Sequence, residues 1–295
     1  GYEQKETLAT GSEAAIAGGF TTVCTMPNTD PPVDRQEAVQ YVRKRQEQLL
    51  VEIHPVAAAT KGRAGKELTE YGEMVVAGAV GFTDDGSPIA DAAVMRRALE
   101  YSKMVDRPVI QHAEDLQLRA HGLMHEGKVS TSLGLPGAPG ISESSLVNRD
   151  IRIAEYVKAR LHLQHISLAE SVELIRAAKE RGVHVTAEVT PHHLMLTDEA
   201  VRSFDTNTKV NPPLRTRRDV DVLRTGLVEG VIDAIATDHA PHAQEDKEQT
   251  FDLAEPGMIG LESALGVCLK ALVTSKLTDL ETVLERLVVA PRRVM

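Results

Sequence analysis

Tryptophan is absent from the 295 residues and aromatic side chains make up only 3% of them. The stacking platforms that hold single-stranded nucleic acids are therefore missing. Positive charge is in deficit as well: 33 Lys and Arg stand against 43 Asp and Glu, a formal net charge of −10. With no basic surface to neutralise phosphates, nucleic acid is not an expected partner. Cysteine is scarce, since Cys24 and Cys268 are the only two and neither belongs to a Cys-x-x-Cys pair. That usage argues for a reducing compartment and against thiolate metal ligation. No apolar run approaches the roughly 18 residues that a bilayer span requires, and the N-terminus lacks a basic-then-apolar leader pattern. The expectation is a soluble, cytoplasmic protein without membrane contact, acting on a small polar molecule.

What is present is concentrated at the ends of short apolar runs. Val231-Ile-Asp-Ala-Ile-Ala236 reads as a buried strand and is followed by Ala236-Thr-Asp-His-Ala-Pro-His242. Upstream runs end in Val80-Gly-Phe-Thr-Asp-Asp85, Val109-Ile-Gln-His112 and Leu161-His-Leu-Gln-His165. Carboxylates and imidazoles at strand ends can hold a metal ion and move protons. A (β/α)8 barrel gathers the carboxyl ends of its strands into one mouth, so ligands distant in sequence become neighbours there. Any one of these histidines alone reads more simply as a satisfied, half-buried side chain; several strand ends in one register favour a site.

Apolar runs alternate with amphipathic stretches across the chain, the pattern of repeated βα units. Strands are expected at 20–26, 51–58, up to Asp85, at 108–112, 161–165, 183–190 and 231–236. Helices are expected at 6–18, 36–50, 67–77, 90–105, 142–159 and 168–181. The Gly- and Pro-rich passage around Leu133-Gly-Leu-Pro-Gly-Ala-Pro-Gly140 lacks periodicity and reads as a long surface loop over the mouth. Seven strands are counted where a closed barrel has eight, so residues 1–295 are expected to form a single, incomplete TIM-barrel domain whose first strand precedes Gly1.

Seven blocks carry a resemblance to a known family: Gly18-Gly-Phe-Thr-Thr-Val, Met26-Pro-Asn-Thr, Phe82-Thr-Asp-Asp-Gly, Gln111-His-Ala-Glu-Asp, Val189-Thr-Pro-His-His, Lys209-Val-Asn-Pro-Pro-Leu-Arg and Ala236-Thr-Asp-His-Ala-Pro-His. In this order they resemble the bacterial type I dihydroorotases of the amidohydrolase superfamily, over essentially the whole chain. The resemblance implies an α/β (β/α)8 barrel flanked by a small β-sandwich, which this chain is expected to lack. It implies one or two zinc ions, with His112 and His165 as ligands of one ion and Asp238 as a ligand of the other and the proton shuttle. The resemblance implies that a strand-four carboxylate takes the place of the carbamylated lysine of hydantoinases, and Asp85 matches it better than Asp84; alternation along a strand points only one of the two inward, which leaves the choice between them open.

The implied reaction is the reversible cyclisation of N-carbamoyl-L-aspartate to L-dihydroorotate in pyrimidine synthesis. Asn28, Asn211, His242 and backbone groups at Pro256 and Gly257 are the implied substrate contacts. Asn28 reads equally well as a turn residue after Pro27, and His242 as an exposed histidine. His54, His121, His125, His162 and His184 carry no motif and are expected at the surface or half-buried. A role supporting the ligands from behind is weaker but open for His192 and His193, and the run Arg215-Thr-Arg-Arg218 reads as a solvated face, although Arg215 could steady the Asn211 loop.

The chain departs from the family pattern at its start. A His-x-His pair and a nearby arginine on strand one are part of that pattern, and residues 1–50 contain no histidine. The expectation is weak metal binding and poor turnover by this polypeptide. Two other readings stay open: a hydantoinase or allantoinase, and a non-catalytic homologue that docks on aspartate transcarbamoylase. A homodimer is a further partner reading.

Overall fold

The apolar runs become short parallel strands in a computed structural model, which describes Gly1–Met295. Thr22–Thr25 (β1) pairs with Glu52–Pro55 (β2), Thr22 opposite Glu52. The next position is filled by Phe82, which bridges Ala57 on one side and Val109 on the other, both parallel. Val109–Gln111 (β3) then pairs with Leu161–Leu163, and that strand with Val185–Val189, whose other edge carries Ala234–Ile235. Between β3 and these strands in sequence lies a separate two-stranded pair, Met124–His125 (β4) and Gly137–Ala138 (β5). We number Leu161–Leu163, Val185–Val189 and Ala234–Ile235 as β6, β7 and β8. The arc β1, β2, Phe82, β3, β6, β7, β8 keeps chain order in one direction, the arrangement of a (β/α)8 barrel wall.

Helices follow most strands: Leu8–Ala17 (α1), Gln36–Arg45 (α2), Tyr71–Ala77 (α3), Ala92–Met104 (α4), Leu116–Arg119 (α5), Lys128–Leu133 (α6), Ile141–Val157 (α7), Ala169–Glu180 (α8), Pro191–Met195 (α9) and Arg217–Val228 (α10). Their starts are encoded locally. Asp91 accepts from the Ala93 and Val94 amides to begin α4, and Thr216 with Asp219 forms a capping box at α10, each satisfying amides that a helix start leaves free. The helices bury apolar faces against the sheet in a cluster of 41 residues. Leu161, Leu163, Ala187 and Val189 belong to it. Burying a leucine of this kind contributes about 2 kcal/mol, and truncating one to alanine costs roughly 2–5 kcal/mol.

The intervening residues of the same strands point the other way. His162 bonds Thr186 Oγ1 at 2.8 Å and Glu188 Oε2 at 3.0 Å across to β7, and Gln164 accepts from Thr83 Oγ1 at 3.1 Å. His162 is thus 1% exposed and paired, not a surface residue as its lack of a motif suggested. Its strand position, between two core leucines, put it on the inner face.

The passage around 133–140 is not an unstructured loop. Gly134, at φ 68°, closes α6, and Gly137 lies so close to Glu126 that a Cβ would come within 2.5 Å of its Cα. These glycines serve a helix end and a close backbone approach, which look like mobility in sequence. Met124, Val129, Val201 and Phe251 form a small core beneath them. Past β8, residues 264–273 and 280–294 are helical, with a π-helical stretch in each. No helix is long and apolar enough to cross a membrane.

Candidate metal centre

Three ligand-type side chains converge at the ends of β3, β6 and the Phe82 segment. One nitrogen or oxygen each from Asp85, His112 and His165 lies within 4.8 Å of the others. His112 Nδ1 and His165 Nε2 are 2.8 Å apart, and both stand 3.8 Å from Asp85 Oδ1, ion-pair separations too long for a hydrogen bond. Both imidazoles are buried. Asp238 lies outside this trio but acts on it: burial disfavours charge on His165, yet the carboxylates of Asp85 and Asp238 outweigh it and hold the imidazole at about 9.

That geometry fits a divalent cation. Two ring nitrogens 2.8 Å apart share either a proton or a cation, and the carboxylate of Asp85 beside them favours positive charge at that point. Imidazole and carboxylate donors suit zinc and its first-row neighbours. Burial pushes the Asp238 carboxyl up to about 6, with Asp85 and Glu188 adding to the rise and His165 and His112 opposing it. A carboxyl poised there can exchange protons near neutrality.

Backbone strain marks the same places. His165 has φ 32° and Asp238 φ 48°, left-handed conformations that cost a non-glycine residue about 1 kcal/mol or more. Around His165 the segment is pinned by a buried network. Glu143 accepts from the Ser167 and Leu168 amides at 3.2 Å and from Ser171 Oγ at 2.7 Å, and Arg215 Nε donates to Ser167 Oγ at 2.9 Å. Arg215 is 2% exposed, so it does not sit on a solvated face; its guanidinium lies 3.6 Å from Glu143, and this pairing is what permits burial. On the other flank, Arg63 donates to the Asp85 carbonyl.

The aspartate pair divides its work. Asp84, 2% exposed, accepts from the Thr60 amide at 2.9 Å and from its hydroxyl, while Asp85 faces the histidines. Asn28 donates to Asp85 Oδ2 at 3.4 Å, and Asn211 to Glu114 Oε2 at 2.9 Å, so both asparagines border the trio. His242 lies elsewhere: its Nδ1 accepts from Lys5 at 3.1 Å and its Nε2 donates to Pro256 O at 3.0 Å. With Gly257 it lines an open cleft of about 420 Å3, which shares no lining residue with the closely packed pocket at His112 and His165. Gly257, at φ 147°, leaves no room for a Cβ beside Ala240 O and His242 Nε2. Its backbone groups bond within the protein, the amide to Lys209 O and the carbonyl to Lys247 Nζ.

Two lysines hold that loop. Lys209 Nζ donates to the Asp252 and Ala254 carbonyls at 3.0 and 2.6 Å, and Lys247 Nζ to those of Glu255 and Gly257 at 2.9 Å each. Neither lysine stood out in the sequence, because nothing local marks an ammonium that pairs with carbonyls. Glu143 was equally silent there. Glu114 was within reach of a sequence argument, since it lies two residues past His112 and so near the same face. Of the remaining histidines, His192 and His193 are buried and their imidazoles held neutral by burial, His192 down to about 3. His193 accepts from Thr190 and donates to Pro212 O at 3.1 Å, bracing the turn after Asn211.

Comparisons with known proteins agree with this architecture. A family model described as dihydro-orotase-like matches residues 1–171. A dihydroorotase of Syntrophus aciditrophicus is 50% identical over the whole chain, and one of Pelotomaculum thermopropionicum 51%; the chain spans 69% of each. Among solved structures, the L-hydantoinase of Arthrobacter aurescens superposes with a TM-score of 0.86 at 26% identity, covering 99% of this chain and 67% of that one. A dihydropyrimidinase of Brevibacillus agri shares the fold, with a TM-score of 0.76 at 19% identity.

Proposed function

Because the chain belongs to the dihydroorotase-like family, we propose that it is a metal-dependent dihydroorotase, interconverting N-carbamoyl-L-aspartate and L-dihydroorotate. The observation that carries the reading is the convergence of Asp85, His112 and His165 at the strand ends where barrel enzymes place their chemistry. Zinc, as one or two ions, is the proposed metal, held by Asp85, His112, His165 and Asp238. When bound, such an ion lowers the pKa of a water and polarises the amide carbonyl.

The chain's own residues supply the rest. Asp238 takes a proton from the attacking water and delivers it to the ring nitrogen as the carbon–nitrogen bond breaks; in the closing direction the proton returns by the same carboxyl. Asn28 and Asn211 border the trio, and we assign them to the substrate. His242 and the Pro256–Gly257 backbone are assigned the substrate carboxylate and ring edge, reached across the second cleft. A cytoplasmic location, and assembly as a homodimer or on aspartate transcarbamoylase, belong to the same proposal; size-exclusion of the chain alone and mixed with that partner reads the assembly.

The test is turnover of L-dihydroorotate by zinc-loaded protein, set beside Asp238→Ala. With no histidine in residues 1–50, the expected result is weak turnover that the substitution abolishes; no turnover at all in a chain that binds zinc overturns the catalytic reading and favours a binding role. The likeness to the L-hydantoinase fold supports a second reading as a hydantoinase, and the same assay with hydantoin and dihydrouracil separates the two.

A further inference from the structure

Glu114 has no role in the reaction drawn so far, yet its carboxylate is 4% exposed beside His112 and His165. Its Oε2 lies 3.4 Å from His112 Nε2 and 2.9 Å from Asn211 Nδ2. Its Oε1 is buried without a hydrogen bond, 3.3 Å from Arg119 Nε as an ion pair. Asn211 Nδ2 and Arg119 Nε can only donate, so both Glu114 oxygens are turned to them as acceptors. His112 Nε2 stands 3.4 Å from the same Oε2 that faces Asn211 and is directed to it as a donor.

The consequence falls on the far side of the ring. A neutral imidazole carries one proton, so an Nε2–H leaves a lone pair on Nδ1, and Nδ1 is the nitrogen facing His165 Nε2 at 2.8 Å and Asp85 at 3.8 Å. We infer that Glu114 is a positioning residue, fixing His112 as the Nε2–H tautomer so that Nδ1 is offered to the cation, and anchoring Asn211 through the same oxygen. Carboxylate-to-histidine bonds of this kind orient metal ligands and raise their basicity. The inference rests on the metal reading of the site.

Two measurements test it, neither of them turnover. The first is zinc affinity by chelator competition for the full chain, Glu114→Ala and Glu114→Gln. Glu114→Ala is expected to bind zinc roughly 10–100-fold more weakly, and Glu114→Gln, which keeps an acceptor oxygen, to regain most of the loss. The second is the imidazole nitrogen spectrum of the metal-free protein, in which His112 is expected as the Nε2–H tautomer in the wild type and as a mixture in Glu114→Ala. Wild-type zinc affinity in Glu114→Ala overturns this inference and leaves the metal reading standing. A wild-type chain that binds no divalent ion removes both. Should Glu114→Ala fail to fold, the wild-type spectrum decides, since an Nδ1–H His112 overturns the assignment.

Discussion

Asp84 and Asp85 are adjacent in the chain and turn their carboxylates to different partners: Asp84 to the backbone and hydroxyl of Thr60, Asp85 to His112 and His165. The division arises where the Phe82 segment runs into a turn that begins at Asp85. One carboxylate holds the neighbouring loop and the other enters the site.

Separate consequences follow for the two alanine variants. Asp85→Ala removes a proposed ligand and is expected to weaken zinc binding by more than the roughly 10–100-fold that loss of a residue supporting a ligand costs, with little change in the metal-free melting temperature. Asp84→Ala leaves the buried Thr60 amide without its acceptor and is expected to cost about 1–3 kcal/mol of stability, with a smaller loss of zinc affinity. Urea denaturation and chelator competition on both variants check the division; an exchange of the two phenotypes contradicts it.

Breaking the buried pair behind His165 should be costly. Arg215→Met leaves Glu143 without its guanidinium, and losing one partner of a buried ion pair costs roughly 3–5 kcal/mol. Glu143→Gln keeps acceptor contacts to Ser167 and Ser171 and is expected to cost less. A double-mutant cycle in urea measures the coupling; additive losses count against a shared network.

Asp150 gives the chain a pH dependence away from the metal centre. Burial raises its carboxyl to about 6, against the pull of Arg149 and Gln111. The folded state then holds the proton more firmly than the unfolded state, so the stabilising contribution is full below about pH 4 and is lost as pH rises through about 6. Relative to the wild type, Asp150→Asn is expected to gain on the order of 2 kcal/mol in unfolding free energy between pH 4 and 7.5. Parallel pH profiles for the two proteins contradict the assignment.

The 252–257 loop is held by the ammonium groups of Lys209 and Lys247. Lys209→Met removes two donors from buried surroundings and is expected to cost about 1–3 kcal/mol. The loss is local, so hydrogen exchange at residues 252–257 should rise while the strand amides of 185–189 keep their protection. Uniform acceleration across both segments argues for a global effect instead.

Much of this architecture was legible in the sequence, because short apolar runs and 3.6-residue periodicity report burial directly. The expected strands at 108–112 and 161–165 are observed at Val109–Gln111 and Leu161–Leu163, and the helix at 90–105 at Ala92–Met104. The strand ending at Asp85 survives as the Phe82 bridge between neighbours. Contacts whose partners are distant in sequence were not legible. Arg215 looked solvated because nothing in its local run names Glu143 as a partner, and His162 looked superficial because inner-face burial was not weighed against the absence of a motif. Glycines at 134 and 137 looked like slack, while they are where backbones touch.

The left-handed conformations of His165 and Asp238 bear on any effort to improve this chain by screening. Asparagine tolerates such a backbone better than most residues, and glycine adopts it without steric cost. Selection for heat tolerance alone is therefore drawn to replace these two side chains. A screen that scores survival at high temperature and omits an assay of the site will enrich robust, inert clones, with positions 165 and 238 the first to report it.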